Sequence, residues 1–265
     1  MHPSLYGFSA YNVLWGSAAV VGLVVAVVLL RARGLRAARA LPVLLLVAVA
    51  ALAGARLEFC LENGLTLACL RGVGGLRMPG AILALALTLP PLLWLARLPV
   101  RRVLDTLTIP IALSIALGRW GCLLHGCCFG VPTTVPWSVR FPRGSPAYLS
   151  HAEAGLLKLD QPWSLPVHPL ALYYSLDALI IAGILLWALP RVRVAGVLTL
   201  WFLVLRCWSK TLLEHLRGVE LGSAPNQSGS VEFWVACAAT AALAVVWWWS
   251  AEHGTGIVVP AAHAD

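Results

Sequence analysis

Seven apolar runs punctuate the chain, near residues 12–30, 41–59, 79–96, 104–124, 168–189, 195–214 and 231–250. Each is close to the roughly 20 residues that a helix needs to cross a bilayer. The pattern predicts an all-α, polytopic membrane helix bundle of about seven transmembrane helices. Arginines gather between the runs: Arg31, Arg33, Arg36 and Arg39 follow the first, Arg97, Arg101 and Arg102 the third, and Arg191 and Arg193 the fifth. If every run crosses once, these groups share one side, which the excess of basic residues makes cytoplasmic. The N-terminus is then outside and the C-terminus cytoplasmic. Residues 1–250 read as a single transmembrane domain, and 251–265 as a disordered tail. An extracytoplasmic loop at about 130–167 joins the fourth and fifth runs, and a connection of that length is usually functional or lid-like.

Composition narrows the class. Hydrophobic residues make up 60% of the chain and charged ones 11%, against about 45–50% and about 25% in soluble domains. A water-soluble domain is excluded. The net charge of +8 does not argue for nucleic acid, because the arginines lie in short runs between apolar segments, where they set orientation and meet anionic lipid. The seven cysteines form no evenly spaced framework, so no disulfide scaffold is expected. No Lys or Arg precedes the first apolar run, so that run is expected to remain as a helix rather than act as a cleaved signal.

Charges inside a span cost roughly 2.5–3.5 kcal/mol each on insertion scales, and they mark where function should be sought. The densest group is Gly118-Arg119-Trp120-Gly121-Cys122-Leu123-Leu124-His125-Gly126-Cys127-Cys128-Phe129-Gly130. At 1.5 Å per residue Arg119 lies roughly 22 Å along the fourth run, about 8 Å below the outer edge of the ~30 Å core. Arg119, Cys122 and either His125 or Gly126 share a helix face. In the sixth run Arg206, Lys210, Glu214 and Arg217 form one stripe, for which a headgroup phosphate is the natural partner. Arg206 and Asp177 fall at similar depth and are predicted to pair. His168, ahead of Pro169 at the start of the fifth run, is placed to act as a base or phosphate donor. No metal site is expected, since the adjacent Cys127 and Cys128 do not fit the usual ligand spacing. A thiolate role for a cysteine beside Arg119 is the alternative use of these sulfurs.

At this point the chain resembles the bacterial prolipoprotein diacylglyceryl transferase family. That family's Gly-Arg-Ile-Gly-Asn-Phe-Ile-Asn-Gly-Glu-Leu-Trp-Gly motif is matched at Gly118, Arg119, Gly121, Gly126 and Gly130. Further matches are Gly54-Ala55-Arg56-Leu57, Asp105, Pro136-Trp137, Phe141-Pro142, His168-Pro169 and Leu172-Tyr173, with Glu214 and Arg217 in the late Arg-Phe-x-x-Glu-Phe-x-Arg run. The departures are Cys122 and His125 for the two asparagines, Cys127 for the glutamate and Lys210 for the late run's first arginine. The family's Tyr-Gly becomes Tyr11-Asn12, and its His-Gly-Gly becomes Met78-Pro79-Gly80, so the histidine assigned there to thiol activation is missing. This chain looks like a divergent, cysteine-bearing branch.

The resemblance implies a multi-pass protein of the bacterial plasma (inner) membrane. Its partners would be membrane lipid, specifically phosphatidylglycerol, and the signal-peptide cysteine of a prolipoprotein. The thiol would attack the glycerol carbon bearing the phosphate, giving a thioether and glycerol 1-phosphate. Arg119, Lys210 and Arg217 would hold the leaving phosphate, with Tyr11, Gly130 and Glu214 completing the substrate site, and His125 or His168 would take the proton. No metal or organic cofactor is implied. Two other readings stand beside this one: a non-catalytic lipid-binding membrane protein, and a related transferase that uses its own Cys127 or Cys128.

Overall fold

The computed structural model describes residues 4–5, 8–64, 66, 69, 77–158, 160–218 and 227–252. Every predicted run is helical. In chain order the helices are α1 (Ala10–Ala32), α2 (Ala37–Asn63), α3 (Met78–Leu95), α4 (Val100–His125), α5 (Pro146–Glu153), α6 (Leu170–Ala188), α7 (Val197–Glu214) and α8 (Gln227–Glu252). Ahead of α1, Ser4–Leu5 pairs antiparallel with Phe8–Ser9. The predicted tail overlaps the end of α8 at residues 251–252, and its remainder lies outside the described residues.

α1, α2, α4 and α6 are long and apolar enough to cross a membrane, while α3 and α8 contain the shorter apolar stretches Pro79–Leu95 and Phe233–Val246. α7 has 18 residues and carries Arg206, Lys210 and Glu214. Val20, Val24, Val28, Leu52, Leu87 and Leu186 all remain exposed on these helices. Apolar surface on that scale needs lipid to cover it, and helices are the form in which backbone polar groups are satisfied there. The chain is a polytopic membrane protein of the all-α class.

Its backbone divides into two compact units, Val27–Leu104 and Met1–Ala26 with Asp105–Asp265. In the first, α2 and α3 meet at Gly54 and Gly80, where a Cβ on Gly54 would come within 2.5 Å of the Gly80 carbonyl oxygen. Small residues let the two backbones approach this closely. The Gly80 N–H donates to Glu58, and the Arg77 N–H donates to the Ala55 carbonyl at 3.0 Å. Cys60 and Cys69 form a disulfide. No disulfide framework is expected from the sequence, and this one bridge adds a local link: Cys69 lies within 5.8 Å of Cys60, Cα to Cα, a separation that a bridge spans without backbone movement.

The second unit is organised around α4. Ser114 Oγ donates to the Ala18 carbonyl of α1 at 3.0 Å, and Ser175 Oγ of α6 donates to the Ala116 carbonyl at 2.8 Å. Asp105, near the start of α4 and 2% exposed, caps α7. Its Oδ2 accepts from the Gly196 N–H at 2.6 Å, and its Oδ1 from the Thr199 N–H at 2.9 Å and hydroxyl at 2.7 Å. A carboxylate at a helix N-terminus satisfies otherwise orphaned donors and suits the helix dipole. α4 and α7 therefore start together and run parallel, with α6 antiparallel to both. α8 packs on α7 through Trp208, whose Nε1 donates to Thr240 Oγ1 at 3.2 Å and whose ring meets Phe233 edge-on at 5.7 Å.

The long loop is a packed head rather than an open strap. Bridges join Pro132 and Val139 to Val167, and Pro142 to Trp163. Phe129, Phe141, Ala147 and Val167 form its small core, flanked by Leu123 and Val139. The stretch expected to be loop contains α5. Ser145 accepts from the Tyr148 N–H at 3.3 Å and Pro146 follows at the first helical position, two start signals of ordinary strength.

Candidate functional site

Tyr174, one helical turn before Asp177 on α6, joins the charged residues of α4 and α7. The Arg119 guanidinium carbon lies 4.4 Å from its ring centroid and that of Arg206 lies 5.5 Å away. Its hydroxyl donates to Glu214 Oε2 at 2.8 Å, and Glu214 Oε1 accepts from Arg217 Nη1 at 2.8 Å. The predicted pair is present: Arg206 Nη1 lies 3.0 Å from Asp177 Oδ2. Lys210 sits among these groups, within electrostatic reach of Glu214, Arg206, Arg119 and Arg217. Four cations against two carboxylates leave two positive charges in surplus. The Arg119 Nε is buried and has no hydrogen-bond partner among the described residues, an unsatisfied donor that a bound anion would complete.

Gly130 sets the second part of the site. Its N–H donates to the His168 carbonyl at 3.0 Å, and it forms a bridge with Arg217. A Cβ there would lie 2.6 Å from His168 Cβ, 2.8 Å from the His168 carbonyl and 2.9 Å from that of Leu216. Only glycine lets this strand pass between the two. His168 and the Arg217 backbone are thereby held on either side of one residue. His168 Nδ1 lies 3.2 Å from the Tyr173 hydroxyl, which accepts from Trp137 Nε1 at 2.7 Å. The ring of His125 lies 5.4 Å from that of Tyr11 at the start of α1.

The third part is a group of thiols. α4 ends at Gly126, whose φ is +76°; its N–H donates to the Leu123 carbonyl at 3.2 Å, and the Cys127 N–H donates to the Cys122 carbonyl at 3.2 Å. This is the Schellman arrangement, which folds the side chain after the glycine back onto the one five residues earlier. Cys128 then takes φ +51°, a left-handed conformation that is uncommon for a non-glycine residue. The Sγ atoms of Cys122, Cys127 and Cys128 all lie within 4.8 Å of one another. Arg119 Nη1 approaches Cys128 Sγ at 3.4 Å. Hydrogen bonding with the Cys122 and Cys128 thiols, and burial, push the Cys127 thiol above its usual range. Cys128 is raised as well, first by its hydrogen bond with Cys122. The spacing objection to a metal site thus disappears in three dimensions, because the helix end supplies the separation that the sequence lacks.

Of the residues singled out from the sequence, Arg119, Lys210, Glu214 and Arg217 come together, Gly130 links Arg217 to His168, and Cys127 joins Cys122 and Cys128. Tyr11 and His125 form a neighbouring pair. The residue missed is Tyr174. Its signal was the three-residue spacing to Asp177, which puts both on one face of α6.

Comparison with known proteins adds to this geometry. The model of the prolipoprotein diacylglyceryl transferase family matches residues 5–249. Relatives named phosphatidylglycerol--prolipoprotein diacylglyceryl transferase include one from Finegoldia magna, 26% identical over 224 residues that cover 81% of this chain and 82% of that protein. Another, from Clostridium tetani, is 28% identical over 131 residues, 49% of this chain and 47% of the relative. A third, from Synechococcus elongatus, is 30% identical over 152 residues, 54% of this chain and 48% of the relative. The chain spans about half the length of these last two relatives.

Proposed function

The chain belongs to the prolipoprotein diacylglyceryl transferase family, and on that premise we propose that it moves a diacylglyceryl group from phosphatidylglycerol to the cysteine thiol of a prolipoprotein. The sulfur bonds to the glycerol carbon that carries the phosphate, the carbon–oxygen bond at that carbon breaks, and glycerol 1-phosphate leaves with the bonding electrons. The thiol proton goes to a base. The convergence of Arg119, Lys210 and Arg217 around Tyr174 carries this reading, because the leaving phosphate gains charge as the bond breaks and preorganised cations stabilise it most there. The buried Arg119 Nε supplies a donor that a phosphate oxygen satisfies. Glu214 holds Arg217 and Tyr174 in place.

His168 is the base in this proposal, since Gly130 fixes it beside Arg217 and Tyr173 orients its ring. Tyr11 and His125, in ring contact with one another, border the site from α1 and α4 in this proposal. The membrane is the bacterial plasma membrane, crossed seven times with the N-terminus outside, so that the charged ends of α4 and α7 face the extracytoplasmic leaflet. Purified protein given phosphatidylglycerol and a signal-peptide fragment bearing the acceptor cysteine should release glycerol 1-phosphate in equal amount to diacylglyceryl peptide. Bound lipid without either product would instead identify a lipid-binding protein that has lost catalysis.

A further inference from the structure

We propose that Cys122, Cys127 and Cys128 form a three-thiolate site for a thiophilic d10 metal ion, Zn(II) or Cu(I). Three sulfurs already lie within 4.8 Å of one another. Around a metal with bonds of about 2.3 Å, tetrahedral or trigonal ligands stand about 3.8–4.0 Å apart, so side-chain rotation alone closes the remaining distance. Soft thiolates favour these two ions over hard cations. The backbone is shaped for the purpose: the Gly126 turn brings Cys127 back to Cys122, and Cys128 is held at φ +51° where a relaxed chain would point it elsewhere.

Charge argues the same way. Three thiolates leave a Zn(II) site with one negative charge and a Cu(I) site with two. The Arg119 guanidinium, with Nη1 3.4 Å from Cys128 Sγ, offsets this charge and hydrogen-bonds the ligand, the outer-shell arrangement that supports metal sites. Each thiol releases its proton to solvent as it binds the ion. Among the described residues no further His, Cys, Asp or Glu joins the group. Cu(I) is satisfied by three sulfurs, whereas Zn(II) takes a fourth ligand from water or an incoming thiol. The site stands whether or not the chain transfers lipid.

The test uses full-length protein in detergent, stripped with chelator and handled anaerobically without added reductant, so that the Cys60–Cys69 disulfide stays closed and the remaining thiols stay reduced. Titration with Zn(II), with Cd(II) as its spectroscopic substitute, and anaerobically with Cu(I) against a chromophoric chelator, should give one ion per chain. X-ray absorption then separates the two ions: three sulfurs alone for Cu(I), three sulfurs and one further ligand for Zn(II). Cys122→Ser, Cys127→Ser and Cys128→Ser should each weaken binding at least about 100-fold. Arg119→Lys should weaken it about tenfold. The Cys207→Ser/Cys237→Ser double variant should bind as the parent does. Absence of stoichiometric binding by the reduced, folded protein overturns the proposal, and so does sulfur-to-cadmium absorption that survives loss of all three thiols. Neither readout involves lipid or peptide, so the result is independent of the transferase assay.

Discussion

Replacing Gly130 with Ala tests how the outer strand positions the site. The added Cβ would meet His168 Cβ at 2.6 Å and the His168 and Leu216 carbonyls at 2.8 and 2.9 Å, about 0.5–0.8 Å short of the 3.4 Å at which ordinary contact begins. Two of these atoms are backbone and cannot rotate away. The strand must shift, and the bonds that lock it lengthen: Gly130 N to His168 O at 3.0 Å, Val131 N to Leu216 O at 2.8 Å and Gly218 N to Phe129 O at 3.0 Å. Overpacking of this kind costs about 1–3 kcal/mol and each weakened bond up to about 1 kcal/mol, so a loss of roughly 2–4 kcal/mol is expected. Because His168 and Arg217 flank the displaced residue, glycerol 1-phosphate release should fall about 100-fold even where the protein still folds. Denaturation in mixed micelles gives the stability, and glycerol 1-phosphate release at saturating lipid gives the rate. Gly16→Ala, with nothing within 4 Å of the new carbon, is the control. A Gly130→Ala protein with the stability and rate of that control refutes the argument.

Arg119→Ala should reduce turnover by about 100-fold or more, because it removes a preorganised donor to the leaving phosphate; unchanged release would remove Arg119 from the role given to it. Asp105→Asn keeps the shape of the α7 cap but turns an amide N–H toward the Gly196 N–H, which should cost about 2 kcal/mol in micellar denaturation. His151, buried against Phe129 in the head, has its pKa held below the usual 6.5 by desolvation. The unfolded chain therefore takes up a proton first as pH falls, and stability should decline from about pH 6.5 downward until the folded-state pKa is passed. His151→Phe should flatten that decline, and a parent protein equally stable at pH 7.5 and 5 would contradict it.

Helix positions were legible because each span needs a long apolar run, and α1 to α4 and α6 to α8 match those runs to within a few residues. The Arg206–Asp177 pair was legible for the same reason, since depth follows from residue count. Less could be read where the chain turns. α5 hides behind a run of prolines, because its eight residues are too few for a periodic pattern. The disulfide joins Cys60 to a cysteine nine residues on, across a return that hydropathy does not encode. The thiol group depends on two left-handed residues, Gly126 and Cys128, and spacing rules for metal ligands assume ordinary turns between the pair. A glycine that ends a helix between two cysteines five apart was the clue in the sequence.

The Asp105 cap fastens the starts of α4 and α7 with three hydrogen bonds, whereas nearer their far ends Arg119 of α4 and Glu214 of α7 both reach Tyr174 of α6. The pair is therefore fastened at one end by a buried carboxylate and bridged toward the other by an aromatic ring of α6. Disturbing the Asp105 cap should thus loosen the fold without touching the cations, whereas disturbing Tyr174 should alter the charges themselves.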